Sequence, residues 1–169
     1  MPRPSVRKSS KSQKHAELVV RLDRAIRETS AQSTLFSNAI AQRLGITIND
    51  IECLDIINLH GPMTAGKLAE TTGLTTGAIT GIVDRLSAAG LLVREPDAND
   101  RRRVIVRVAA DEPTNRVGPF YRSIKRRLEA VYDTYTEKEL ALLVQFYERA
   151  VNALRDETIA LRSESEPPR

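Results

Sequence analysis

Between Thr64 and Val108 the spacing of apolar residues changes character three times. In AGKLAETT, Leu68 and Ala69 turn inward behind Thr64, whose hydroxyl suits the free amides at a helix start, and Gly73 stops the segment. Thr75 offers a second N-cap, after which TGAITGIVDRLSAA repeats Ile79, Ile82, Val83 and Leu86 at helical spacing. Gly90 then stands just past the helix end. LLVRE and RVIVRV follow as β-branched runs joined by the polar loop PDANDRR, which predicts a hairpin. Short helix, tight turn, longer helix and hairpin, in that order, predict a winged helix-turn-helix.

Long helical patterns flank this unit. From Ala16 to Leu44 the positions Leu18, Leu22, Ile26, Thr29, Ser33, Phe36 and Ile40 form one stripe, closed by Gly45. Its middle is partly polar, with Ser30 and Gln32 beside Thr29 and Ser33, so the centre of this helix is expected to line a pocket or a wetter interface. A capping box, Thr47 to Asp50, predicts a second helix through Ile51, Leu54, Ile57 and His60 to Gly61. Downstream, Val117, Phe120, Ile124, Leu128, Val131 and Tyr135 make one stripe, and Leu140, Val144, Tyr147, Val151 and Leu154 make another. The box Thr136 to Glu139 separates the two. A small winged domain cannot bury all of this surface, which predicts pairing with a second copy. The expected fold is mainly α with a small β-hairpin wing, a winged helix-turn-helix flanked by N- and C-terminal dimerisation helices. The boundaries are a disordered basic arm (1–14), an N-terminal dimerisation helix (15–46), the DNA-binding domain (47–110), C-terminal dimerisation helices (111–162) and a disordered tail (163–169).

The face of the longer helix opposite its aliphatic row carries Thr76, Gly77, Thr80, Gly81, Asp84 and Arg85. Threonine can bond a phosphate or base edge through its hydroxyl and touch a thymine methyl through its own methyl group. Glycine inside a helix costs about 1 kcal/mol against alanine, so Gly77 and Gly81 suggest close approach of a partner to the backbone. Arg101, Arg102, Arg103 and Arg107 crowd the second half of the hairpin, a density of positive charge suited to phosphate or a narrow minor groove. Asp97 and Asp100 are placed to orient a guanidinium.

The run from Leu74 to Val108 resembles the MarR family of bacterial transcription regulators, in its Asp84-Arg85-Leu86 triplet, its Gly90-Leu91 turn and its Asp100-Arg101-Arg102 wing motif. The resemblance implies that Arg102 enters the minor groove while Asp100 holds it. It also implies base and phosphate contacts from Thr75, Thr76, Gly77, Thr80 and Arg85, with Arg101 and Arg103 on the wing and Lys67 as a candidate phosphate contact. It further implies a homodimer built by the terminal helices and a small aromatic or phenolic effector, whose binding residues the chain does not identify. Two positions depart from the pattern. Gly81 stands where many members carry arginine, and the wing exits through Val108 to Pro113 rather than through Leu-Thr and a glycine. The resemblance spans roughly residues 16–161 and is specific from Thr64 to Val106.

Composition narrows the alternatives. A net charge of +4 over 169 residues favours polyanionic partners without specifying DNA. Much of the excess lies in residues 1–14, which hold five Lys or Arg and no acid. There is no apolar leader or membrane-length run, so the expected location is cytoplasmic. One cysteine, Cys53, rules out an intrachain disulfide and reads as a small buried hydrophobe. Gly61 to Lys67 fits the spacing of a phosphate-binding loop, but Leu68 replaces the Ser or Thr that would ligate Mg²⁺. Cys53, His15 and His60 are too scattered for a zinc set, and His60 suits a helix end. No metal, cofactor or catalytic constellation is expected. The expected function is a homodimeric, sequence-specific regulator of transcription, in the sense of a repressor, acting on double-stranded DNA. The alternative is a winged helix that docks an acidic protein.

Overall fold

The computed structural model describes residues 6–97, 100, 103–109 and 117–164. Two compact units divide the chain, one up to Gly118 and the other from Pro119 onward.

The first unit opens with α1, Val6–Leu44, a helix of 39 residues and thus about 58 Å long. Residues 6–14 therefore continue the helix instead of forming a disordered arm. Neither glycine nor proline interrupts the chain from Val6 to Leu44, so basic composition alone gives no reason for the helix to end. The apolar stripe is buried only at its C-terminal end. Ile40 and Ala41 are enclosed, Ile26 and Phe36 are half-buried, and Leu18 and Leu22 are exposed.

Gly45 takes a positive φ of 70° and turns the chain into α2, Ile48–His60. The expected capping box is present: Asp50 N donates to Thr47 Oγ1 at 3.2 Å, and Thr47 N donates to Asp50 Oδ2 at 2.8 Å. After α2 come β1, Met63–Thr64; α3, Ala65–Thr72; α4, Thr76–Ala88; β2, Leu92–Pro96; and β3, Val104–Val108. The strands form an antiparallel sheet in the order β1-β3-β2, with Met63 opposite Val106 and Arg94 opposite the same residue on the other side. The hairpin lies one residue later than expected at each strand start. Strand β1 has no counterpart in the sequence pattern, because two residues are too short to show alternation.

Aliphatic side chains from α1, α2, α3, α4, β2 and β3 build the core beneath α4. Ile51, Ile57, Leu68, Ile79, Leu86 and Val106 are fully enclosed, and the four α4 residues expected to face inward do so.

The second unit holds α5, Gly118–Tyr132, from Pro119 onward, and all of α6, Glu137–Glu164. Ser163 and Glu164, expected in a disordered tail, belong to α6. The box before α6 forms as expected, with Thr136 N donating to Glu139 Oε2 at 2.8 Å and Glu139 N to Thr136 Oγ1 at 3.3 Å. Among the residues of α5 and α6 whose burial is described, none is buried. A groove of about 990 Å³ runs along Tyr132, Leu140, Leu143, Val144, Tyr147 and Val151.

Candidate nucleic-acid interface

The helix-turn-helix is set by threonine caps and a glycine. Thr64 accepts a hydrogen bond from Lys67 N at 3.1 Å to start α3, and Thr75 accepts one from Ala78 N at 3.3 Å to start α4. Between them Gly73 adopts the left-handed conformation, φ 75°, and donates to Ala69 O, which ends α3 within its eight residues. The segment resembling a phosphate loop is thus spent on a helix end, a strand and the first turn of α3.

Along α4, Thr76, Gly77, Thr80, Asp84 and Arg85 are exposed and Gly81 is half-buried, so the polar face read from the sequence is the outward one. Thr80 donates its hydroxyl to Thr76 O at 2.9 Å. That bond ties the hydroxyl to the helix. At Gly77 a Cβ would meet nothing within 4 Å, so the chain itself supplies no reason for glycine there. At Gly81 an added Cβ would lie 3.5 Å from Arg85 Nη1, an ordinary contact.

Arg85, expected to contact DNA, points to its own protein. Its Nη2 donates to Asp50 Oδ1 at 2.8 Å and its Nε to Oδ2 at 3.2 Å. Asp50 is 0% exposed, whereas the Arg85 side chain is 49% exposed. Burial alone would push the Asp50 carboxyl up, but the bonds from Arg85 and Thr47 outweigh it and hold the group below its ordinary value. The bond to Asp50 correspondingly raises the Arg85 guanidinium. The neighbouring Asp84 accepts from Arg94 Nη2 on β2. Sequence reasoning missed both Asp50 and Arg94 as partners. The capping box before α2 gave Asp50 a role at the start of that helix but not as the partner of Arg85.

On the hairpin, Asp97 N donates to Arg103 O and Arg103 N to Asp100 O, each at 2.9 Å, so these residues brace the approach to the tip. Asp100 and Arg103 are exposed. Arg101 and Arg102 lie outside the described residues. Arg107 is taken up by Glu95, with Nε donating to Oε1 at 2.7 Å, which removes it from the free charge of the wing. Lys67 Nζ pairs with Glu70 at 2.9 Å on the exposed surface of α3.

A cavity of about 470 Å³ lies elsewhere in this unit; of the polar residues expected to line a pocket Ser33 does so, joined by Thr34 and Ser37 nearer the C-terminal end of α1. Asn49, Glu52 and Cys53 of α2 face it, with Thr71 and Thr72 of α3. Cys53 is buried, and desolvation, with smaller effects from Asp50 and Glu52, pushes its thiol up to about 11. Among the described residues, no group of His, Cys, Asp and Glu could hold a metal, and no helix is long and apolar enough to cross a membrane.

Residues 46–104 match the model of the MarR family. The HTH-type transcriptional regulator YcgE of Bacillus subtilis is 38% identical over 136 residues, covering 80% of this chain and 88% of that protein. Among solved structures, a MepR variant from a multidrug-resistant S. aureus isolate aligns with a TM-score of 0.64 at 16% identity, covering 79% of this chain and 96% of that one. Another S. aureus MepR variant, bound to an oligodeoxyribonucleotide, aligns with a TM-score of 0.50 at 17% identity, covering 79% and 97%. With its helix-turn-helix and wing in place and a relative this similar over most of both chains, the protein belongs to the MarR family of helix-turn-helix transcriptional regulators.

Proposed function

We propose that the protein is a homodimeric repressor that places α4 of each protomer in one major-groove half-site of a palindromic operator. The observation that carries this reading is the outward face of α4. Thr76, Gly77 and Thr80 stand exposed there, and Gly77 has open space above it that nothing in the chain explains. A glycine of this kind gives up about 1 kcal/mol of helix stability, and close approach of DNA to the backbone would offset it. Thr75 and the first amides of α4 meet a phosphate, as helix N-termini do. Arg101, Arg102 and Arg103, steered by Asp100, grip the flanking minor groove, and Lys67 adds a phosphate contact. The likeness to a MepR variant that binds an oligodeoxyribonucleotide supports the same role.

The exposed apolar faces of α1, α5 and α6 support dimerisation. Half-site centres then lie about one helical turn, roughly 10 bp, apart. The cavity lined by Ser33, Thr34 and Ser37 of α1 is the proposed seat of a small effector, which releases DNA by binding more tightly to one spacing of the two α4 helices than to the other. The protein works in the cytoplasm and carries out no chemistry of its own.

A genomic footprint of the purified protein, followed by binding isotherms on the selected duplex and on a scrambled one, tests the proposal. Selective binding with a steep log-log salt dependence is expected, together with a marked loss for Arg102→Ala. Equal binding to both duplexes would favour a protein-docking winged helix instead.

A further inference from the structure

We propose that Asp84 and Arg85 of α4 clamp the recognition helix between α2 and the wing, so that Asp50 and Arg94 are positioning residues for DNA reading. The inference rests on the DNA-reading role proposed for α4 and assigns the Asp-Arg pair a different task from base or phosphate contact.

The aliphatic row of Ile79, Ile82, Val83 and Leu86 fixes how deeply α4 sits. Hydrophobic contact is non-directional, so it resists roll or slide of the helix only weakly. Hydrogen-bonded ion pairs supply direction. Adjacent residues project about 100° apart around a helix, so Asp84 and Arg85 reach to different sides. Arg85 takes the carboxylate of Asp50 at the start of α2, and Asp84 takes the guanidinium of Arg94 on β2.

Two features favour positioning over DNA contact for Arg85. Its grip on Asp50 is two-pointed, at 2.8 and 3.2 Å. Asp50 is fully enclosed, and withdrawing Arg85 to a phosphate would leave a buried carboxylate without its counter-ion. The same carboxylate closes the capping box of α2 through Thr47 N, so one buried group serves the start of α2 and the bearing of α4 at once.

The test uses full-length protein, a duplex selected by genomic footprint, a random duplex of equal length, and hydrogen exchange of backbone amides. Asp50→Asn keeps an oxygen for the cap but loses the charge that holds Arg85. Asp84→Asn removes the second arm at an exposed site that does not threaten folding. Each substitution deletes a negative charge, so electrostatics alone would tighten DNA binding. The clamp predicts the opposite: roughly tenfold weaker binding to the selected duplex, unchanged or tighter binding to the random one, and an unchanged salt slope. In Asp50→Asn, α4 amides exchange faster while those of α3 do not.

Selected-duplex affinity equal to or above wild type in both variants would overturn the clamp. So would unchanged α4 protection, or a salt slope that falls by about 0.9, one phosphate contact, in Arg85→Gln. A wild-type protein that shows no preference for the selected duplex sinks the regulator role, and hydrogen exchange then decides the clamp by itself.

Discussion

Asp50 and Arg85, 35 residues apart in the chain, form a two-point ion pair in which Nη2 donates at 2.8 Å and Nε at 3.2 Å. Burial works against the Asp50 charge, but the bonds from Arg85 and Thr47 prevail and depress the carboxyl below 3.8. A group with a depressed folded pKa contributes stability in full above its unfolded value and loses it as pH falls through the folded one. Wild type should therefore exceed Asp50→Asn by about 1.5 kcal/mol between about pH 5 and pH 8, the figure expected for charge-assisted bonds to a partly exposed partner. Below pH 3.8 the gap should narrow. Urea denaturation across that range measures it, and a gap that persists undiminished to pH 2 would mean that the Asp50 charge is not its source.

Cys53 is predicted to be inert in the native protein. Burial favours the neutral thiol, so the stability contribution is complete below the ordinary 9.0 and is lost only as pH rises toward about 11. The difference between 9.0 and about 11 means roughly hundredfold less thiolate at pH 8 than in the unfolded chain. A thiol reagent should label one group per chain quickly in denaturant and only slowly without it. Fast native labelling would contradict the burial, and peroxide should leave DNA binding unaltered.

The recognition helix was legible in the sequence because its signals are local: two threonine caps, two glycine stops and an aliphatic row at one period. The same holds for the capping boxes before α2 and α6. The partners of Asp84 and Arg85 were not legible, because side-chain pairs that span 10 and 35 residues leave no periodic trace. Arg85 accordingly read as a DNA contact from the triplet it belongs to. Residues 6–14 misled for a related reason, since charge and serine content mark a solvated segment whether or not it is helical. Strand β1 is held by pairing with β3 and not by its own two residues.

Gly77→Ala should separate stability from function. Nothing lies within 4 Å of the added methyl, so the free protein should gain about 1 kcal/mol, or roughly 2–4 °C in melting temperature. If DNA comes close to the α4 backbone at this point, the selected duplex should bind at least tenfold more weakly, about 1.4 kcal/mol. Thermal melts and binding isotherms on the same preparation give both numbers. A stabilised variant with wild-type affinity would remove close backbone approach at Gly77 from the DNA-binding mode.

Dimerisation should depend on the apolar face of α6. Val144, Tyr147, Val151 and Leu154 recur three or four residues apart and are each at least half-exposed within the chain. Fully burying a valine is worth about 1.5–3 kcal/mol, and an isolated charge in its place would have to be desolvated in any interface that covers it. Val144→Asp touches nothing buried in the protomer, so the helix-turn-helix should stay folded by circular dichroism. Light scattering should show the variant shifting from dimer toward monomer. Because two linked half-site contacts then become independent, affinity for the palindrome should fall by at least hundredfold, while a duplex with a single half-site binds as weakly as before. A Val144→Asp protein that remains dimeric at low micromolar concentration would place the interface elsewhere, with the exposed leucine and valine side chains of α1 as the next surface to substitute.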